Sequence, residues 1–103
     1  MTQVERIKRM ERYLEESSKA IEKMQEALVD YEKIQTEFRK LCDYYASTKW
    51  MRDYEDDEAG KLPKNLKRGV LSEDAVYDLI QENHDITTRL LKIITKNVEG
   101  HRA

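Results

Sequence analysis

The sequence predicts an all-α protein, a long helical hairpin or small bundle, and three observations carry that expectation. Residues 1–59 contain neither glycine nor proline. Apolar side chains recur at helical spacing in two long segments. No segment alternates apolar and polar residues with the period of two that a strand requires. At 103 residues the chain is expected to form a single helical domain spanning 1–103, large enough to hold a core but marginal if elongated.

The first helix is predicted from about Thr2 to Ala46. One row of its stripe runs Ile7, Leu14, Ile21, Leu28, Gln35, Cys42, and a second runs Met10, Ser17, Met24, Tyr31, Phe38, Tyr45. A third row, Tyr13, Ala20, Ala27, Ile34, Leu41, widens the stripe beyond a two-row coiled-coil seam. A stripe this wide suits a helix with more than one neighbour, as in a bundle. Glu5 with Arg9 and Glu15 with Lys19 are favourably oriented pairs four residues apart.

Ser47 or Thr48 supplies a hydroxyl able to cap a new helix, predicted over Thr48 to Glu58 or as a bent continuation of the first. Gly60 ends it, because glycine enters the left-handed region at little cost. The loop from Gly60 to Leu71 carries Leu62, Leu66, Val70 and Leu71, so it is expected to pack down rather than to float. Pro63 suits the start of a short helical turn over Lys64 to Arg68, and Gly69 its end. Ser72, Glu73 and Asp74 then mark the start of a last helix, a hydroxyl cap followed by two acids that favour the positive end of the helix dipole. Val76, Leu79, Ile80, Asn83, Ile86, Leu90, Ile93, Ile94 and Val98 form its stripe, and Gly100 closes it.

Length adds a constraint. At 1.5 Å per residue the first helix would reach ~68 Å and the last ~40 Å, so an antiparallel hairpin leaves apolar positions near Ile7, Met10, Tyr13 and Leu14 uncovered. Either a second subunit covers them, or the helix breaks near Ser17-Ser18 and folds back. Since neither glycine nor proline marks a break, the homodimer is the expectation.

Composition limits the function. A net charge of −2, from 19 basic and 21 acidic residues, argues against a general binder of nucleic acid or anionic membrane, which needs a basic excess. One cysteine excludes an internal disulfide and fits a reducing compartment. No apolar run approaches the ~20 residues of a membrane span, and the charged opening lacks the apolar core of a secretory leader. The cytoplasm is the expected location.

The segment from Asp43 to Leu71 cannot be explained by periodicity. Residues 43–54 alone hold Tyr44, Tyr45, Trp50 and Tyr54, half of the aromatic residues of the chain. Tyr and Trp bury large areas yet need a polar partner at one end, so such a cluster marks a core plug or a binding surface. The candidate surface is Tyr44, Tyr45, Trp50, Asp53, Tyr54, Lys67 and Arg68. Converging, these groups with Asp43 would form a pocket for a small ligand or peptide. Packed inward, they would plug the open end of a bundle.

Other chemistry is weakly signalled. The acidic run Asp53, Glu55, Asp56, Asp57, Glu58 lacks the turn glycine of a calcium loop and reads as a solvated helix face. The basic run Lys61, Lys64, Lys67, Arg68 reads as salt-bridging to residues 53–58 rather than as a phosphate site. His84 has no second histidine four residues away, and His101 lies in the tail, so no metal ligand set is expected. Cys42 falls on the core row as a small buried hydrophobe. No phosphate loop, hydrolase elbow or zinc-knuckle spacing is present, so no catalytic residue or cofactor is assigned.

The block Tyr44-Tyr45-Ala46-Ser47, Trp50, Asp53-Tyr54, then Asp57-Glu58-Ala59-Gly60-Lys61-Leu62-Pro63 and Leu66-Lys67-Arg68-Gly69-Val70-Leu71-Ser72-Glu73-Asp74 resembles a bacterial family of small helical proteins, domain of unknown function 4298. The opening Gln3-Val4-Glu5-Arg6-Ile7 with Met10-Glu11 is similar to that family's start. The resemblance covers nearly the whole chain and implies an all-helical cytoplasmic protein, with no activity, substrate or catalytic residues attached. The function expected is therefore a non-enzymatic helical interaction module, homodimeric, with an unidentified protein partner met by residues Tyr44 to Leu71. The alternative is a small-ligand binder or enzyme with a pocket formed by residues 43–72.

Overall fold

Helix formation starts at Thr2. Its hydroxyl accepts a hydrogen bond from the Glu5 N–H at 3.1 Å, and the Glu5 carboxylate accepts one from the Thr2 N–H at 3.3 Å. This reciprocal capping box satisfies two otherwise orphan donors. It also turns Glu5 away from Arg9, and the ion pair formed on this stretch is Arg12–Glu16, at 3.7 Å. In a computed structural model that describes residues 1–100, the helix so started, α1, runs Gln3–Tyr45 without interruption. The break weighed at Ser17-Ser18 does not occur. Two serines lack the backbone freedom of glycine and keep their N–H groups, so the ladder continues through them.

Helix α2 spans Thr48–Glu58. Ser47, not Thr48, caps it: its Oγ accepts from the Trp50 N–H at 3.3 Å and donates to the Tyr44 carbonyl at 2.6 Å. One hydroxyl thereby closes α1 and opens α2. Gly60 ends α2 with φ +71°, the left-handed conformation that a side chain would strain.

The loop that follows departs from expectation. The turn predicted over Lys64 to Arg68 is only a tight Pro63–Leu66 turn, closed by the Leu66 N–H on the Pro63 carbonyl at 3.2 Å. Gly69 does not end a turn but begins one, a 3-10 helix over Gly69–Leu71. Ser72 then caps the last helix, α3, Ala75–Gly100, with its Oγ 3.4 Å from the Asp74 and Ala75 nitrogens. Gly100 is still helical and is the last described residue. His101 lies outside the described residues.

The fold is thus all-α, with the element order of a helical hairpin or small bundle. The chain divides into two units, residues 1–38 and residues 39 onward. In the first unit no residue is buried, and only Gln35 and Phe38 are half-buried. In the second, Trp50, Leu71 and Val76 form the core, at 8%, 7% and 3% exposure. Leu41, Cys42, Tyr45, Leu62 and Ile80 flank it, half-buried. The stripe of α3 is buried more narrowly than its pattern predicts. Val76 is enclosed and Ile80, Asn83 and Leu90 are half-buried, whereas Leu79, Ile86, Ile93, Ile94 and Val98 are exposed.

Candidate functional site

Three of the seven sequence-predicted site residues, Tyr45, Trp50 and Tyr54, pack on one another, while Tyr44 pairs with Asp53 and Arg68 with Asp57. Residues 45, 50 and 54 lie four or five apart along the end of α1 and the start of α2. Tyr45 meets the indole edge-on, ring centroids 5.1 Å apart at 70°, and Tyr54 stacks on it at 5.2 Å and 16°. Edge-to-face and offset-stacked geometries are those the aromatic quadrupole favours, each worth ~0.5–1.5 kcal/mol beyond area burial. The indole N–H donates to the Val70 carbonyl at 2.8 Å. That bond ties α2 to the 3-10 helix and satisfies the one polar atom that burial of Trp50 would otherwise strand.

The tyrosine hydroxyls are also held within the chain. Tyr44 donates to Asp53 Oδ2 at 2.6 Å, Tyr45 to the Glu73 backbone carbonyl at 2.9 Å, and Tyr54 to Glu73 Oε1 at 2.7 Å. Two of these bonds alter titration. Partial burial and then the bond to Asp53 push Tyr44 from the usual 10.0 to about 12. The bond to the Glu73 carboxylate, followed by desolvation, pushes Tyr54 to about 12 as well. A phenolate beside a carboxylate is repelled and has lost its donor, so both rings hold their protons.

Arg68 acts as a brace on the loop. Its guanidinium pairs with Asp57 and also donates to the Pro63 and Leu66 carbonyls. Lys61 sits 4.0 Å from Asp56, at the limit of an ion pair. The acidic and basic runs therefore meet each other at these two points. Lys67 is exposed and stands outside the network. So does His84, exposed on α3. Among the described residues no group of three His, Cys, Asp or Glu side chains could hold a metal ion.

Two residues of the network escaped the sequence reading. By position Glu73 suits the positive end of the helix dipole, yet it receives both Tyr45 and Tyr54. By its side chain Val70 is only an apolar loop residue, yet its carbonyl anchors the indole. Their partners lie 19 to 28 residues away, and no local spacing signals a contact at that range.

A different surface stands open in the first unit. Ile7, Met10, Leu14, Ile21, Met24 and Leu28, one face of α1, are between 42% and 63% exposed. A concavity of about 540 Å³ is cut into that face, lined by Leu14, Ser17, Ser18, Ile21, Glu22 and Gln25. Ser17 stands there on a stripe row otherwise filled by larger side chains, with Ser18 beside it. Concavities on the second unit, lined by Thr48, Lys49, Met51, Arg52 and Glu55 or by Leu91, Lys92, Thr95 and Lys96, lie apart from the aromatic cluster. Among the described residues no helix is long and apolar enough to cross a membrane.

The model of the family "Domain of unknown function (DUF4298)" matches residues 7–93, and the chain belongs to that family. No curated protein and no solved structure matches it.

Proposed function

We propose that this member of the DUF4298 family is a non-enzymatic helical interaction module that works as a cytoplasmic homodimer, its subunits joined through the N-terminal part of α1 in coiled-coil fashion. The observation that carries this reading is the run of six large apolar side chains from Ile7 to Leu28 lying about half exposed along one helix face. A contiguous apolar face of this length is far more costly in water than scattered exposed side chains, and on soluble proteins it marks an association surface. The lone, half-buried Cys42 supports a reducing compartment.

The aromatic cluster is read as a brace. A recognition surface needs aromatic rings offered to a partner, whereas the Trp50 ring and its N–H are both used inside the chain. The same inward geometry supports a brace over a ligand pocket at residues 43–72, since the hydroxyls and the guanidinium point at Asp53, Glu73 and Asp57. What residues 44–71 offer a further protein partner is the outer rim, with Lys67 and the half-exposed Met51 and Leu66.

The testing experiment compares wild type with Ile21→Glu by light scattering after gel filtration. Glutamate keeps the helix but puts a charge on the stripe. Wild type should elute at twice the 12.3 kDa chain mass and the variant at the chain mass, with helical circular dichroism unchanged. A variant that stays dimeric would move the interface away from this face.

A further inference from the structure

The geometry points to an antiparallel pairing of the two α1 helices about a twofold axis near residue 19, so that residue x of one copy lies level with residue 38 − x of the other. This inference rests on the homodimer reading above and adds what that reading lacks, the orientation and the register of the second copy.

Charge distribution selects the orientation. Residues 5–12 carry four basic and two acidic side chains, whereas residues 26–33 carry three acidic and one basic. Antiparallel pairing about residue 19 sets these two blocks level with each other at both ends of the interface. Parallel pairing in register sets the basic block beside its own copy at one end and the acidic block beside its own copy at the other, like net charge against like.

Side-chain size selects the register. In heptad terms Ile7, Leu14, Ile21 and Leu28 occupy one seam row and Met10, Ser17 and Met24 the other, and an antiparallel pair alternates the two rows across the seam. About residue 19, Leu14 meets Met24, Leu28 meets Met10, and Ile21 enters the concavity that Ser17 and Ser18 leave open. The fit is self-complementary, because each helix offers one isoleucine and one notch. On the flank the nearest positions across the seam are two residues off level, so Tyr13 neighbours Ala27 and Ala20 its own copy, large against small and small against small, as close packing requires. A parallel pair would instead set Ser17 against Ser17 and leave a void at mid-seam. The paired stretch, residues 5 to 33, spans ~43 Å of helix and offers on the order of 800 Å² per partner, the area of a stable interface.

The experiment uses the full chain with Cys42→Ala, adding Ser17→Cys, Ser18→Cys or Val4→Cys one at a time, each confirmed dimeric by light scattering. Antiparallel pairing places Ser18 beside its own copy and Ser17 against Ile21, so mild oxidation should link Ser18→Cys and leave Ser17→Cys unlinked. Nitroxides on Val4→Cys should then lie ~45 Å apart, the rise of the 30 residues between level 4 and level 34. A dimer in which Ser17→Cys links and the labels at position 4 lie within ~20 Å would be parallel and would overturn this inference alone. A dimer with neither linkage and any other distance would overturn the register. A monomer under every condition would overturn the homodimer reading itself.

Discussion

The aromatic cluster of the second unit and the apolar stripe of the first carry similar side chains and meet opposite fates. Around Trp50 every large ring finds a neighbour, and every hydroxyl or N–H finds an acceptor inside the chain. Along Ile7 to Leu28 equally large side chains stay 42% to 63% exposed. Residues 43–76 turn back on themselves twice, through Ser47 and Gly60, and bring distant side chains together. Residues 3–38 form one uninterrupted helical stretch with no buried residue. A bent segment can satisfy itself, and a straight one offers its face outward.

The largest way to break this contrast lies in the cluster. Trp50→Ala removes a ring that is 8% exposed and should cost ~3–5 kcal/mol in denaturant unfolding. A loss below ~1 kcal/mol would mean that the ring is not part of the core. In the stripe, Leu14→Glu should weaken self-association at least 100-fold, about 2.7 kcal/mol, with helix content retained. An unchanged dissociation constant in sedimentation equilibrium would show that the stripe is idle.

A smaller effect is expected at the loop brace. Arg68→Lys keeps the charge but cannot serve Asp57 and two carbonyls at once. It should lower stability by ~1 kcal/mol, a modest value because the guanidinium is partly exposed. If the melting temperature stays unchanged while partner binding is lost, Arg68 acts outside the chain instead.

The smallest effect is in alkaline titration. Tyr44 and Tyr54 have folded values near 12 against 10.0 unfolded. The folded state therefore binds the proton more tightly. Its contribution is fully present below pH 10 and is lost as the pH rises from about 10 to about 12. Tyrosinate absorbance should show two of the six tyrosines ionising late, and Tyr44→Phe with Tyr54→Phe should remove that late phase. A titration curve without the late phase would mean that the two bonds are not held in solution.

Periodicity and capping made much of this legible. The Thr48–Glu58 helix could be bounded to the residue, because Ser47 and Gly60 act on their own neighbours. The continuity of α1 likewise followed from the lack of glycine or proline, a purely local property. The 3-10 helix at Gly69–Leu71 was not legible. Its conformation answers to the Trp50 indole on Val70 and to the burial of Leu71, both set by tertiary contact. Glu73 illustrates the same limit. Its place near a helix start suggested a dipole role, and only the fold brings Tyr45 and Tyr54 to it. The sequence points the basic run that includes Arg68 at residues 53–58, and the fold selects Asp57 among those acids as its partner.

The central claim is that the stripe from Ile7 to Leu28 is covered by a second copy of the chain. Sedimentation equilibrium of wild type from low to high micromolar concentration tests it most directly, beside Ile21→Glu as the control. The account predicts twice the 12.3 kDa chain mass for wild type and the single chain mass for the variant. A wild-type mass of one chain at high micromolar concentration would contradict it.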